Sequence, residues 1–335
     1  MSWKKFGSAG LAAALLGSLA ACSTSGGSTT PATGGATKDA KQVKIGFAQQ
    51  TLLAPYYVAM QKEAQRMAKE KGFSLVFQAA NGDPVQQVNQ VQTMVSQGVD
   101  VIVVNAVSPG TEKEQLTAIA KKKPLMFIDT SIPGVGFTTV QSDNLKIGAG
   151  AGELMAKRIG AGKTINLAIL NGGPRDEIVG PDRRKGFLDG LKKGGVNYKI
   201  VGEANANYTQ DLAVTASENL LAAHPDIDVI FGYNDSMSLG ALKTLKTKKN
   251  TRVLVAGVDG QKEALAEISK GGCSGQYVST GLNSPTLAAK DVFDIALKVA
   301  TGQANPGSFP KVSFTKAVGI GCNNIKEYYD PNSTF

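Results

Sequence analysis

Polar side chains recur in this sequence wherever an aliphatic run ends. Gln49-Gln50-Thr51 closes one run and leads into Pro55-Tyr56-Tyr57, Asn105 closes another, and Asp129-Thr130 a third. In the second half, Asn171-Gly172-Gly173, Arg183 near a helix start, Tyr208, Asn234-Asp235 and Asp259-Gly260 occupy comparable positions. Carboxylate and amide oxygens accept hydrogen bonds from hydroxyls, arginine donates to ring or anomeric oxygens, and aromatic rings cover C–H faces. Together these groups suit a neutral polyol. Any single Asn or Asp after a strand reads as a turn or helix cap; repetition at strand ends in both halves favours a site. Asp235 reads as the cap of its own helix. Tyr57 lies on an apolar helix stripe and reads also as core, and His224 in Ala-His-Pro-Asp reads as a turn.

The elements that must present these groups alternate along the chain. Strand-like runs at 43–48, 73–78, 99–104 and 125–128 are separated by helical periodicity, with Pro55 and Asp83-Pro84 starting helices and Gly72 and Gly98 stopping them. The all-aliphatic run 99–104 suits a parallel strand buried on both faces. The rhythm repeats with strands at 165–170, 198–201, 229–231 and 252–256, a helix over 285–300, and a short β-prone run at 311–315. Two β-α-β series predict an α/β protein with two doubly wound parallel sheets, whose ligands lie beyond the carboxyl ends of the strands.

Composition narrows the function classes. The net charge is +9, to which Lys4 and Lys5 contribute two, and no basic cluster is interleaved with aromatics, so a nucleic-acid partner is not expected. Lys121-Lys122-Lys123 and the lysines around Thr247 read as solvated helix ends. One His and no paired Cys spacing argue against metal. There is no Gly-x-Ser-x-Gly elbow, and Asp129 and Asp259 could face each other as a glycosidase pair only by accident of closure. The run Gly148-Ala149-Gly150-Ala151-Gly152-Glu153 lacks the last glycine of a dinucleotide fingerprint. Neither an enzyme nor a cofactor is expected.

The amino-terminal end reads as an export signal: Lys4 and Lys5, then an apolar run from Gly10 to Leu19 too short to span a bilayer, closing on Leu19-Ala20-Ala21-Cys22. An aliphatic residue, two small residues and a cysteine resemble a lipobox, which predicts lipidation of Cys22. Residues 23–40 are nearly all Ser, Thr, Gly, Ala and Pro, a flexible tether spanning roughly 23 Å r.m.s.. About 295 residues then remain, enough for two lobes. With Cys22 acylated, Cys273 and Cys322 form an even pair outside the cytoplasm and are expected to be bridged, the alternative being two buried thiols. The single Trp, Trp3, lies within the signal, leaving Tyr or Phe to stack on a ligand.

From residue 43 to about 300 the chain resembles the periplasmic binding proteins of the ribose-binding type, the solute receptors of ABC importers. The motifs are Pro55-Tyr56-Tyr57, Asn105, Ser142-Asp143-Asn144, Arg183-x-x-Gly186-Phe187, Ala223-His224-Pro225-Asp226, Asn234-Asp235-x-Met237-x-Leu239-Gly240-Ala241-Leu242 and Gly257-Val258-Asp259-Gly260. The resemblance implies two lobes joined by three crossing segments near Ser142, Ser279 and Gly307. With residues 1–21 read as signal peptide and 22–40 as tether, it places 43–142 plus 280–307 as the first lobe and 143–279 plus 308–325 as the second, leaving 326–335 as a tail. It implies that Tyr56 and Tyr57 flank a sugar opposite Tyr208, that Asn105, Asp129, Arg183, Asn234 and Asp259 hydrogen-bond its hydroxyls, and that Ser279 stands where relatives carry a Gln ligand. Ala54, Thr130 and Ser279 replace polar ligands of the ribose receptor, and the loop 171–182 is one residue longer. Gln49, Gln50 or that loop would supply substitute contacts, for a sugar or polyol other than ribose.

The implied partners are the small carbohydrate or polyol, an ABC permease, and a membrane through the lipid anchor only, with the protein a monomer. A receptor for a signalling molecule, nucleoside or amino acid, feeding a sensor or permease, would look much the same. Replacing Arg183 or Asp259 by Ala is expected to abolish binding and leave the unliganded melt nearly unchanged.

Overall fold

The computed structural model describes residues 37–335 apart from Arg175 and Glu177. The export signal, Cys22 and most of the expected tether lie outside the described residues. Strands are β1 (Lys44–Gln49), β2 (Ser74–Ala79), β3 (Val101–Val104), β4 (Leu125–Ile128), β5 (Thr139–Gln141), β6 (Thr164–Asn171), β7 (Asn197–Asn205), β8 (Val229–Gly232), β9 (Leu254–Asp259), β10 (Tyr277–Leu282), β11 (Val312–Phe314) and β12 (Gly319–Gly321). Helices are α1 (Pro55–Lys71), α2 (Pro84–Ser96), α3 (Pro109–Ala120), α4 (Asn144–Ile159), α5 (Val179–Lys193), α6 (Gln210–Ala223), α7 (Asp235–Thr247), α8 (Lys262–Gly271) and α9 (Pro285–Ala300). No described helix is long and apolar enough to cross a membrane.

The strands form two six-stranded sheets, in the orders β11-β5-β4-β3-β1-β2 and β12-β10-β9-β8-β6-β7. All neighbours are parallel except β10 and β12. Aliphatic β3 and fully apolar β4 are buried on both faces, as parallel strands under helices must be. The first sheet separates two apolar clusters, one with α1 and α9 around Phe47 and Phe293, the other with α2 and α3 around Phe127 and Leu116. The second lobe has one cluster, in which Phe187 and Phe231 stack with centroids 4.0 Å apart.

Three short strands without an aliphatic signature set the crossings. The second crossing follows β10 at Asn283, because Ser279 lies in mid-strand opposite Ala256 and Gly321. The third is not near Gly307: β11 pairs with β5 in the first sheet, so the chain passes between lobes over residues 315–318, and 308–314 belong with the first lobe. Ser142 ties the three crossings together. Its hydroxyl donates to Asn283 Oδ1 at 2.6 Å and lies 3.0 Å from the Thr315 hydroxyl, which can donate to it. Lys38, expected within the tether, is held by the first lobe: its backbone N–H donates to the Thr301 carbonyl, and its ammonium pairs with Asp100 at 2.8 Å. Cys273 and Cys322, 49 residues apart, are disulfide-bonded.

The glycine run in α4 has a packing role. A Cβ on Gly148 or Gly152 would strike the carbonyl oxygen of Arg183 or Phe187 in α5, and one on Gly186 or Gly190 would strike that of Leu145 or Ala149 in α4. The reciprocal absence of side chains lets the two backbones touch, which seats Arg183 against the start of α4. Gly186→Ala should therefore force the helices apart and cost about 1–3 kcal/mol. In α3, Gly110→Ala meets no atom within 4 Å and should be neutral or mildly stabilising. Calorimetric melts of the two variants test this; equal melting temperatures would refute it.

Candidate functional site

Parallel pairing places the carboxyl ends of the central strands of each sheet along one edge, and the polar residues singled out above lie there. In the first lobe Asn105 follows β3 and is fully buried. Its Nδ2 donates to the Ile128 carbonyl at 2.9 Å and lies 3.3 Å from Asp129 Oδ2, while its Oδ1 has no partner among the described residues. The Tyr56 hydroxyl stands within reach of Asp129 Oδ1 at 3.0 Å and Asn283 Oδ1 at 3.1 Å. Gln50 Nε2 donates to the Tyr57 hydroxyl at 2.8 Å, and the Tyr56 and Tyr57 rings meet edge to face at 5.4 Å. Buried Gln49 is turned inward, toward Tyr57 O and Met60 Sδ.

In the second lobe Arg183 and Asp259 form an ion pair at 3.0 Å, their side chains 4% and 6% exposed. Arg183 is held further by Asn144 Oδ1 at 2.9 Å and the Tyr233 carbonyl at 2.8 Å. Asn283 Nδ2 donates to Asp259 Oδ1 at 3.1 Å. Tyr208 donates to Asp176 Oδ2 in the loop before α5, and Gly180 N–H donates to Asp176 Oδ1 at 2.9 Å.

The lobes face one another closely enough to share their fields. Burial raises the Tyr57 hydroxyl pKa, and the charges of Asp129, Asp259 and Asp176, from both lobes, push it the same way against Arg183. Burial likewise drives Asp259 up to about 7 against the pull of Arg183. Burial opposes the charge on Arg183, but Asp259 and the other anionic neighbours outweigh it and hold the guanidinium firmly protonated.

The backbone at these positions is unusual. Asp129 (φ 62°), Tyr208 (φ 60°) and Asp259 (φ 136°) lie in the region that favours glycine. Such conformations cost on the order of 1–3 kcal/mol each and cluster at ligand-binding positions. Asp259 is kept there by its surroundings: buried Asp235 accepts from the N–H groups of Gly260 and Gln261 at 2.8 Å each, and from Tyr277 and Thr280 hydroxyls.

That arrangement corrects the reading of Asp235 as a cap of its own helix. Asn234 is the N-cap, accepting from Met237 N–H at 2.9 Å while its Nδ2 donates to the Tyr208 carbonyl at 3.2 Å. Its amide is thus engaged in holding α7 and the Tyr208 turn. Ser279 is also corrected: it is fully buried within β10, and its hydroxyl donates to the Ala151 carbonyl at 2.9 Å. Asn283 stands at the crossover instead. Sequence reasoning missed Asn283, and also Gln87, whose buried amide bonds the Asn105 carbonyl and Val107 N–H; it named the loop that holds Asp176 and the motif that holds Asn144 without assigning either residue. A Pro-containing N-terminus of α9 immediately after Asn283-Ser284 was the available signal for the crossover.

Residues 45–304 match the family described as periplasmic binding protein domain. The chain belongs to that family. It is 32% identical over 234 residues to the ribose import binding protein of Bacillus subtilis (strain 168), covering 68% of this chain and 73% of that one. The xylitol-binding protein of Mycolicibacterium smegmatis is 33% identical over 242 residues, 70% of this chain and 66% of that one. A crystal structure of an ABC transporter solute binding protein from Mycobacterium smegmatis with bound glycerol superposes with a TM-score of 0.77 at 32% identity, covering 87% and 98% of the two chains. The chain is thus of the ribose type of periplasmic binding protein, with two α/β lobes of the type I fold.

The burial of the Arg183–Asp259 pair overturns the expectation that either residue can be removed without affecting the unliganded fold. Arg183→Met leaves Asp259 buried without its cation and should cost about 3–5 kcal/mol near neutral pH. It should also raise the Asp259 pKa beyond about 7. A carboxyl raised above its unfolded value contributes stability below the unfolded pKa that is lost as pH rises through the folded one. Between pH 6 and about 8 the parent loses its proton and the variant keeps it, so the stability deficit of the variant should widen across that interval. Urea melts of unliganded protein at both pH values check this, and a pH-independent deficit would count against it.

Proposed function

We propose that this protein is the solute-binding lipoprotein of an ABC importer and captures a monosaccharide or polyol between its lobes. The observation that carries the reading is the composition of the facing edges. Asp129 and Asp259 offer carboxylate oxygens from opposite lobes, Asn105 has an acceptor without a partner among the described residues, and Tyr56, Tyr57 and Tyr208 supply aromatic faces. Acceptors outnumber free donors, which suits a ligand made of hydroxyl groups. Arg183 is already committed to Asp259, Asn144 and a backbone carbonyl, which weakens a reading in which it captures an amino-acid carboxylate. The relatives named for ribose and xylitol, and the glycerol-bound structure, support the same ligand class.

Ala54 and Thr130 still stand where the ribose receptor carries polar ligands, and a buried hydroxyl left without a partner costs about 1–3 kcal/mol. An acyclic polyol or a different sugar therefore fits better than ribose. Tyr57, Gln50 and Asp176, which line the two sides with adaptable polar groups, are the positions we assign to the substitute contacts. Ligand that touches both lobes favours their approach by the energy of those added contacts, and a permease then reads the joined lobes. Cys22 supplies the lipid anchor and the segment after it the tether.

A thermal-shift screen of ribose, xylitol, other pentoses and hexoses, nucleosides and amino acids tests the ligand class. A ligand at a hundred times its Kd adds about 2.7 kcal/mol, a rise of several degrees. Xylitol or a non-ribose sugar should give the largest rise; shifts from amino acids with none from any sugar or polyol would sink the proposal. In a bacterial host, the parent should partition with membranes and Cys22→Ala should be released, whereas membrane retention of the variant would remove the anchor from the reading.

A further inference from the structure

Residues 330–335 lie beyond the stretch that matches the family, which ends at 304. They connect the two lobes a fourth time, without covalent continuity. The segment before them is fixed to the second lobe. β12 pairs with β10, Cys322 is bonded to Cys273, Ile325 is buried in the second-lobe core, and Tyr328 and Tyr329 pack against it. Lys262, at the start of α8 in the same lobe, donates its ammonium to the Ser333 carbonyl at 2.8 Å. The chain then turns: Ser333 N–H donates to the Asp330 carbonyl at 3.1 Å, and the Ser333 hydroxyl donates to the Phe335 carbonyl at 2.6 Å. The turn delivers Phe335 to the first lobe, where it packs against the cluster around Phe47. Its ring meets the Tyr56 ring edge to face, with centroids 5.7 Å apart and planes at 80°.

We propose that this segment is an interlobe clasp and that Phe335 is a positioning residue for Tyr56. Tyr56 is pinned at its hydroxyl by Asp129 and Asn283, and its ring is bounded by Tyr57 and Phe335. Without Phe335 one side of that ring loses its support. Separation of the lobes must also break either the Phe335 contact or the Lys262 contact, so the clasp weights the equilibrium toward joined lobes before any solute arrives. Its effect on solute release rests on the ligand reading above; its effect on the unliganded lobes does not.

The test uses the full-length chain and the variants Phe335→Ala, Phe335→Tyr and Lys262→Met. Small-angle scattering of unliganded protein should give a larger radius of gyration for Phe335→Ala and Lys262→Met than for the parent, with Phe335→Tyr restored to the parent value. Stopped-flow dissociation of xylitol and of ribose should be about three- to tenfold faster in Phe335→Ala, the change expected for loss of one aromatic pair, with association little altered. A parent-like radius of gyration in Phe335→Ala overturns the clasp. So does an affinity loss carried by association alone that Phe335→Tyr fails to restore, since that pattern marks a merely structural side chain. If no sugar or polyol binds the parent, the ligand reading fails while the scattering result still decides the clasp.

Discussion

A single chain of polar contacts runs from one lobe to the other, and the rest of the molecule is arranged to hold it. Arg183 pairs with Asp259, Asp259 accepts from Asn283, Asn283 lies against Tyr56, Tyr56 reaches Asp129, and Asp129 lies beside Asn105. Asn283 sits on the second hinge crossing, where Ser142 of the first crossing donates to it and Thr315 of the third bonds Ser142. Buried charges of this kind add little net stability over apolar packing, and breaking one is costly. Their value here is geometric, because they fix where acceptors stand on either side of a narrow space.

The supports explain sequence features that have no chemistry of their own. The glycines of α4 and α5 let the two backbones touch and thereby place Arg183 beside Asn144. Asp235, buried under the turn after β9, accepts from the Gly260 and Gln261 N–H groups at Oδ2 and from the Tyr277 and Thr280 hydroxyls at Oδ1, which keeps Asp259 at a φ that aspartate rarely adopts. Gln87 does the corresponding work under Asn105. Each support is a polar or small residue inside a lobe. Strain at the strand ends is tolerated because these buried networks leave the backbone no alternative.

Much of this was legible in the sequence, for a definite reason. Parallel strands carry continuous aliphatic runs, and the fold rule that puts ligands beyond their carboxyl ends turns each run into a pointer. Asn105, Asp129, Asp259, Tyr56 and Arg183 were reachable that way, and the structure gathers them along facing edges. The hinge was not reachable. β5, β10 and β12 are short or built from Ser, Thr and Gly, so no hydrophobic period marks them, and their lobe membership depends on pairings far apart in sequence. Ser279 was misplaced for that reason: without the β9–β10 register, nothing indicated that it lay in mid-strand and that Asn283 was the residue at the crossing. Asp235 was misread because a carboxylate at the start of a helix satisfies the local rule for a cap, while its actual partners come from the turn after β9 and from β10.

The same distinction governs how such a cleft can change specificity. Positions that hold the scaffold, such as Asp235, Gln87, Asn144 and the α4–α5 glycines, cannot vary without moving the acceptors themselves. Positions outside those supports can. Ala54 and Thr130 are of that second kind: Ala54 precedes α1 and makes no side-chain cap bond, and the Thr130 hydroxyl lies a long 3.4 Å from Asp129 Oδ2. Under the proposed function, substitutions there alter which solute hydroxyls find partners and leave the carboxylates where they are. On the proposed reading, a receptor built on this chain of contacts exchanges one polyhydroxylated solute for another by small substitutions around a fixed pair of aspartates, and the commitment of Arg183 to Asp259 weighs against a zwitterionic solute.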